Sequence, residues 1–277
     1  MATSVIKKDI SWLLGKVPDF MEFYDSQSNY FINGGYLAGG FLRKVIKNGS
    51  VIETIKDGLS AGDIDFFFYS EQHAQEAFEY FTKHVGTFIP RPSTFAPNSV
   101  TGFAYEGNGG LRLNSMKKPA VVKFQFIAKS TGSPEEVLNR FDIANCKIAT
   151  DGKFIWMVDG WEGLEDQKII RVDNLSGKYF PWRLKKYLGT DYSLWPSNYE
   201  QVLAKLLESC NNKSTDMSNV KSILRNKNAI KKEDILLFYE KLGITHENTE
   251  PEDYESGTLG QPVDYAIHMF KKRGENV

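Results

Sequence analysis

Apolar positions recur at two different spacings along this chain of 277 residues, and the change of spacing divides it. Ile10, Leu13, Leu14, Val17, Phe20, Met21 and Tyr24 fall near the 3.6-residue period and predict a helix over 8–24, interrupted at Pro18. Residues 29–38 hold strand-like apolar runs, Tyr30-Phe-Ile and Tyr36-Leu-Ala, split by Gly34-Gly35. Phe41 to Gly49 reads as a helix that stops at a glycine. Residues 50–60 read as a small hairpin or loop, and alternation over 63–68 predicts a strand. Ser70 then caps a helix to about residue 85, with Ala74, Ala77, Phe78 and Phe81 on its buried stripe. The Pro-rich stretch 86–98 reads as a loop. Strands are predicted at 99–105, 121–127 and 153–158, with a glycine-rich turn at 106–110. Ser133-Pro134 with Glu135-Glu136 opens a helix predicted over 133–149. From Pro181 the pattern is helical, at 181–188, 197–210, 216–226 and 231–242, with an acidic loop at 247–256 and a short helix at 263–272.

The expected fold is therefore mixed α/β (α+β), a sheet with flanking helices followed by a helical C-terminal domain. The boundaries are 1–28 for an N-terminal helical segment, 29–180 for the sheet domain and 181–277 for the helical domain. A formal net charge of −1 supplies no overall attraction to nucleic acid, so a local basic face would have to do so. Arg183, Lys185, Lys186, Lys205, Lys213, Lys221, Arg225, Lys227, Lys231 and Lys232 form such a concentration, read either as a polyanion surface or as solvated helix faces. Cys146 and Cys210 lie far apart and the four histidines are scattered, which excludes a zinc motif and a disulfide framework. No run is apolar enough to span a membrane, and the N-terminus lacks a signal-peptide core. The expected location is cytoplasmic.

The chemistry concentrates in Tyr36-Leu-Ala-Gly-Gly-Phe-Leu-Arg43 and Ala61-Gly-Asp-Ile-Asp-Phe-Phe-Phe-Tyr69. Residues i and i+2 of a strand share a face, so Asp63 and Asp65 stand side by side while Ile64 and Phe66 turn to the core. Two adjacent carboxylates repel unless a cation sits between them, which points to a divalent metal on oxygen ligands. Gly39-Gly40 between a strand and a helix permits close backbone approach to a phosphate at the helix N-terminus. The plain alternative is a tight turn with no ligand. A second register would use Gly34-Gly35 instead.

Gly-Gly-x-x-Arg followed by Asp-x-Asp resembles the nucleotidyltransferase superfamily, which includes polymerase beta, poly(A) polymerase and the CCA-adding enzymes. Asn98-Ser-Val-Thr101, Lys123-Phe-Gln-Phe-Ile127, Ser133 to Ile143 and Cys146-Lys-Ile-Ala-Thr-Asp-Gly152 are similar to nucleotidyltransferase-like proteins of bacteriophages and large DNA viruses. The resemblance covers about 29–160. It implies Asp63 and Asp65 as catalytic ligands of two Mg²⁺ (or Mn²⁺) ions roughly 3.5–4 Å apart. It implies Gly39, Gly40 and Arg43, or Lys44, against the phosphates of an NTP. The acceptor would be a hydroxyl of an RNA (tRNA among them), a nucleotide or a protein, with the basic helical region gripping RNA. If the chain is phage-encoded, its location would be the host cytoplasm.

One departure carries a second expectation. Many members of that superfamily place a third carboxylate on a later strand, where this chain has Gln125. Asp142 is the nearest substitute, with a surface helix carboxylate as its plain alternative. The alternative function is a catalytically weakened protein that binds a nucleotide, RNA or protein partner without turnover.

Overall fold

The computed structural model describes residues 4–56, 58, 62–84, 91–93, 104–128, 130–175, 184, 187–188, 190–199, 201–202 and 205. The mixed α/β fold is observed. The predicted C-terminal helices and the acidic stretch 247–256 lie outside the described residues, apart from isolated positions up to 205.

The larger of two compact units is built on a sheet. Its strands are β1 (Val5–Asp9), β2 (Gly35–Ala38), β3 (Asp63–Phe68), β4 (Arg91–Ser93), β5 (Ala104–Leu111), β6 (Ala120–Ile127), β7 (Ile148–Thr150) and β8 (Phe154–Val158). Among the described residues their order is β1-β8-β7-β2-β3-β6-β5-β4. The β3–β6 pair is parallel and the other neighbours are antiparallel.

The core lies against one face of this sheet. Ile64, Phe66 and Phe68 of β3 and Val122, Phe124 and Phe126 of β6 alternate onto it and are buried. Two helices cover them, α3 (Ser28–Ile32) and α6 (Glu71–His84). Ring centroids of Tyr30 and Phe126 lie 5.0 Å apart, Phe81 and Phe126 5.4 Å, and Phe31 and Phe66 5.3 Å. Burial of such rings is the main driving force of the unit. Ala74, Ala77, Phe78 and Phe81 are the buried stripe of α6, as its periodicity predicted.

Several elements depart from the expectation. The helix predicted over 8–24 is β1 followed by α1 (Ser11–Lys16) and α2 (Phe20–Ser26), because edge pairing with β8 draws Val5–Asp9 into the sheet. Tyr30-Phe-Ile is helical rather than extended. The expected loop at 50–60 contains α5 (Val51–Ile55), which follows α4 (Gly40–Asn48). Its N-terminus is capped locally by Ser50 and from a distance by Asp19. Ser50 Oγ accepts from the Glu53 N–H, and Asp19 accepts from the N–H groups of Val51 (3.0 Å) and Ile52 (3.1 Å). The glycines at 107–110 lie inside β5, not in a turn. A Cβ at Gly109 would stand 2.9 Å from the Phe124 ring, so glycine makes room for the core aromatic there.

The helix predicted over 133–149 stops early, as α7 (Pro134–Asn139). Its start is a capping box between Ser133 and Glu136. Beyond it the chain is taken by non-local bonds. The Ala144 N–H donates to the Arg171 carbonyl at 2.8 Å, and Ile143 bridges Val172.

The smaller unit contains Phe141–Asn145 and described residues from Gly160 onward. It holds α8 (Trp161–Asp166) and a parallel pair, β9 (Ile169–Ile170) with β10 (Ser193–Leu194). Among its described residues a polar network sits between buried apolar side chains such as Leu164, Ile170 and Leu194. Asn145, fully buried, donates to Glu165 Oε1 (2.7 Å) and to the Ile169 carbonyl (2.9 Å), and accepts from the Arg171 N–H (3.2 Å). The Trp161 indole N–H donates to the Asn145 carbonyl, and the Tyr192 hydroxyl to Glu165 Oε2. Asn198 clasps both backbone groups of Val172 at 2.8 Å.

Candidate functional site

The alternation of β3 that buries Ile64 and Phe66 sends Asp63 and Asp65 to the other face of the sheet. Register then decides what stands beside them. Asp63 is opposite Lys123 and Asp65 opposite Gln125 on β6. One strand further, Asn108 is opposite Lys123 and Glu106 opposite Gln125. Three neighbouring strands thus carry two rows, acid–lysine–amide and acid–amide–acid. Strands are about 4.8 Å apart, so Asp65 and Glu106 occupy positions roughly 10 Å apart.

Lys123 Nζ lies 3.7 Å from Asp63 Oδ1, and both side chains are about one-third exposed (31% and 36%). Gln125 is buried. Asp65 engages other groups, and its Oδ1 atom is buried without a hydrogen bond of its own. Along the same face Val121 and Tyr69 are exposed. Tyr36 lies flat against Phe67 (centroids 6.1 Å) and donates its hydroxyl to the Gly132 carbonyl at 2.9 Å. Burial, with Tyr69 beside it, holds the Tyr36 phenol well above its ordinary pKa, so it stays protonated.

The glycines are explained by the backbone. α4 begins at Gly40, as the Gly39-Gly40 register required. Gly39 has φ 87° and ψ −145°, a region open to glycine almost alone, and its N–H donates to the Ile148 carbonyl at 3.0 Å. Gly35 belongs to β2, where a Cβ would stand 2.4 Å from the Tyr30 carbonyl. Arg43 is buried on α4 with Phe41, Leu42 and Val45. Lys44, the next residue, reaches the approach to β3: its Nζ is 3.1 Å from where a Gly62 Cβ would sit. Asp142 lies beyond the end of α7, not on a helix, and belongs to the smaller unit. Its carbonyl accepts from the N–H groups of Asp173 (2.8 Å) and Asn174 (3.3 Å).

This arrangement does not fit a divalent-metal centre. Among the described residues no group of three His, Cys, Asp or Glu could hold a metal ion. The Lys123 ammonium already partners Asp63, and a cation placed there would meet like charge. Nothing in the sequence signals that Lys123 stands beside Asp63; only the pairing of β3 with β6 brings it there.

A scan of known families matches residues 4–159 to the Gabija anti-defense 2 family. The chain belongs to this family. The matched span covers more than half of the chain, and its ends meet in the fold: the Asp159 N–H donates to the Ser4 carbonyl. No curated protein matches the sequence. Membership of the Gabija anti-defense 2 family overturns assignment to the nucleotidyltransferase superfamily, and with it Mg²⁺-dependent transfer from an NTP. The physical counterpart is the site itself, where Lys123 neutralises one of the two acids and Gln125 stands where a third was sought. Among the described residues no helix is long and apolar enough to cross a membrane.

Proposed function

We propose that this chain is a non-catalytic binding protein that counters the Gabija defence system in the host cytoplasm by occupying one of its protein components. The family match carries this reading, since it spans the sheet and the polar face on it. The chemistry of that face supports it. Paired charge, a buried amide and exposed Val121 and Tyr69 suit recognition better than the activation of a hydroxyl. The basic residues concentrated between Arg183 and Lys232 in the sequence, on this reading, add a charged contact to the same partner.

The test is stoichiometric. Purified chain is titrated into a reconstituted Gabija reaction, with a parallel assay for label incorporated from NTPs. Inhibition should saturate near equimolar chain, with no incorporation. Inhibition complete at a hundredth of that ratio, about the level a turning-over enzyme reaches within minutes, overturns the reading. So does failure of the chain to restore phage growth on a Gabija-carrying host.

A further inference from the structure

Among the described residues the sheet ends at β1, with no strand outside it. Two bonds flanking the β1–β8 ladder define which backbone groups face outward. The Ser4 carbonyl accepts from Asp159, and the Ile10 N–H donates to the Lys153 carbonyl at 3.1 Å. Between them Val5 is opposite Val158 and Asp9 opposite Phe154. Hydrogen-bonded and non-bonded pairs alternate in an antiparallel ladder, so Ile6 and Lys8 bond to β8 along with Ser4 and Ile10. The N–H and C=O groups of Val5, Lys7 and Asp9 therefore point away from the sheet.

Edge strands are commonly protected by a lysine that projects over them. Lys7 is placed otherwise. Its Nζ lies 3.6 Å from the Phe154 ring centroid and 5.1 Å from that of Trp156, folded back across β8. On the opposite face Lys8 and Lys16 each hold Nζ 5.0 Å from the Trp12 ring. Lys153, exposed, begins the turn into β8. The one carboxylate of the strand, Asp9, stays charged at its end, with Oδ1 turned to its own chain to accept the Ser11 N–H at 2.8 Å. The edge thus offers outward backbone groups with positive charge on both sides. A second copy of the chain pairing here would set these lysines against one another, which disfavours it.

We propose that the outer edge of β1 takes an extended acidic segment of a partner protein as an added strand. Outward backbone groups supply the ladder, and carboxylates on either side of the added strand meet Lys7 and Lys8. This inference does not depend on the polar face of β3 and β6 or on the absence of turnover.

The probe is a peptide of about eight residues alternating Glu and Thr, set against its Lys-for-Glu counterpart and an oligothymidylate, on the full chain at low salt. The acidic peptide should bind at least about tenfold more tightly than either control. Amide exchange should slow at Val5, Lys7 and Asp9 and stay unchanged at Ile6 and Lys8, which are already bonded. Lys7→Pro removes an outward N–H without touching the β8 ladder, and it should abolish binding while leaving thermal unfolding near wild type. Should that variant not fold, Lys8→Glu with Lys16→Glu should weaken the acidic peptide and favour the basic one. Equal binding of both peptides, preference for the oligonucleotide, or protection at residues other than Val5, Lys7 and Asp9 overturns the proposal. The Gabija titration is separate, so peptide binding without inhibition sinks the proposed function and leaves the edge site standing. Inhibition without edge protection does the reverse.

Discussion

The described parts of the two units both bury apolar side chains, but the smaller sets a polar network among them. The larger buries a continuous aromatic cluster, in which Tyr30, Phe66, Phe81, Phe124 and Phe126 share neighbours. The smaller places among its buried apolar side chains a set of directed bonds, in which Asn145 and Tyr192 both donate to Glu165 and Asn198 clasps the Val172 backbone. Non-directional burial tolerates a change of shape. A buried polar network tolerates almost none, because each partner left unmatched costs its full desolvation. The aromatic cluster should therefore absorb substitutions that the polar network cannot.

The sharpest test of that contrast is a matched pair. Asn145→Asp keeps the shape but sets a second carboxylate against Glu165 and removes the amide donor. It should destabilise the small unit by about 3–5 kcal/mol. Phe126→Leu, deep in the aromatic cluster, should cost about 1–2 kcal/mol. Denaturation followed by site-resolved hydrogen exchange separates the two units, and equal losses would erase the distinction. A smaller effect tests a polar device inside the aromatic unit. Asp19→Ala removes the acceptor of the Val51 and Ile52 N–H groups and should cost about 1–2 kcal/mol, read as faster exchange across α5.

The smallest effect is a dependence on pH. The N–H and hydroxyl of Ser133 both donate to Glu136, and they hold its carboxyl below the ordinary value of 4.5. A carboxylate lowered in the folded state stabilises α7 above its unfolded pKa and loses that contribution as pH falls through the folded value. The protection of amides at the start of α7, relative to their intrinsic exchange rate at each pH, should therefore fall below pH 4.5. In Glu136→Gln that fall should be absent, and an unchanged profile in that variant would show that another group is responsible.

The family correction follows the same physics. Asp63 and Asp65 side by side suggest a metal while only their own strand is in view. The charge balance beside Asp63 belongs to two strands, and β6 brings Lys123 to within 3.7 Å of it. Nothing near Asp63 in the sequence announces this, since the partner comes from sixty positions away. Signals of local origin were legible: the α6 stripe, the Ser133 capping box, the start of α4 at Gly40 and the break at Pro18. Elements whose hydrogen bonds come from elsewhere were misread. α5 adds the distant Asp19 to its own Ser50 cap, β1 takes its conformation from β8, and the chain after α7 is drawn off by Arg171 and Val172.

By itself, then, the sequence determined the alternation of β3 and β6, the amphipathic faces of α4 and α6, and the pairing of Asp63 with Asp65 on one side of a strand. Those follow from the geometry of a single element, where side-chain direction repeats every 2 or 3.6 residues. The tertiary structure alone decided what the acids face, which glycines are bound by their backbone, and which strand is left at the edge. Those depend on register between segments distant in sequence. Loop closure and the burial of shared aromatic surface set that register, and no local pattern encodes either.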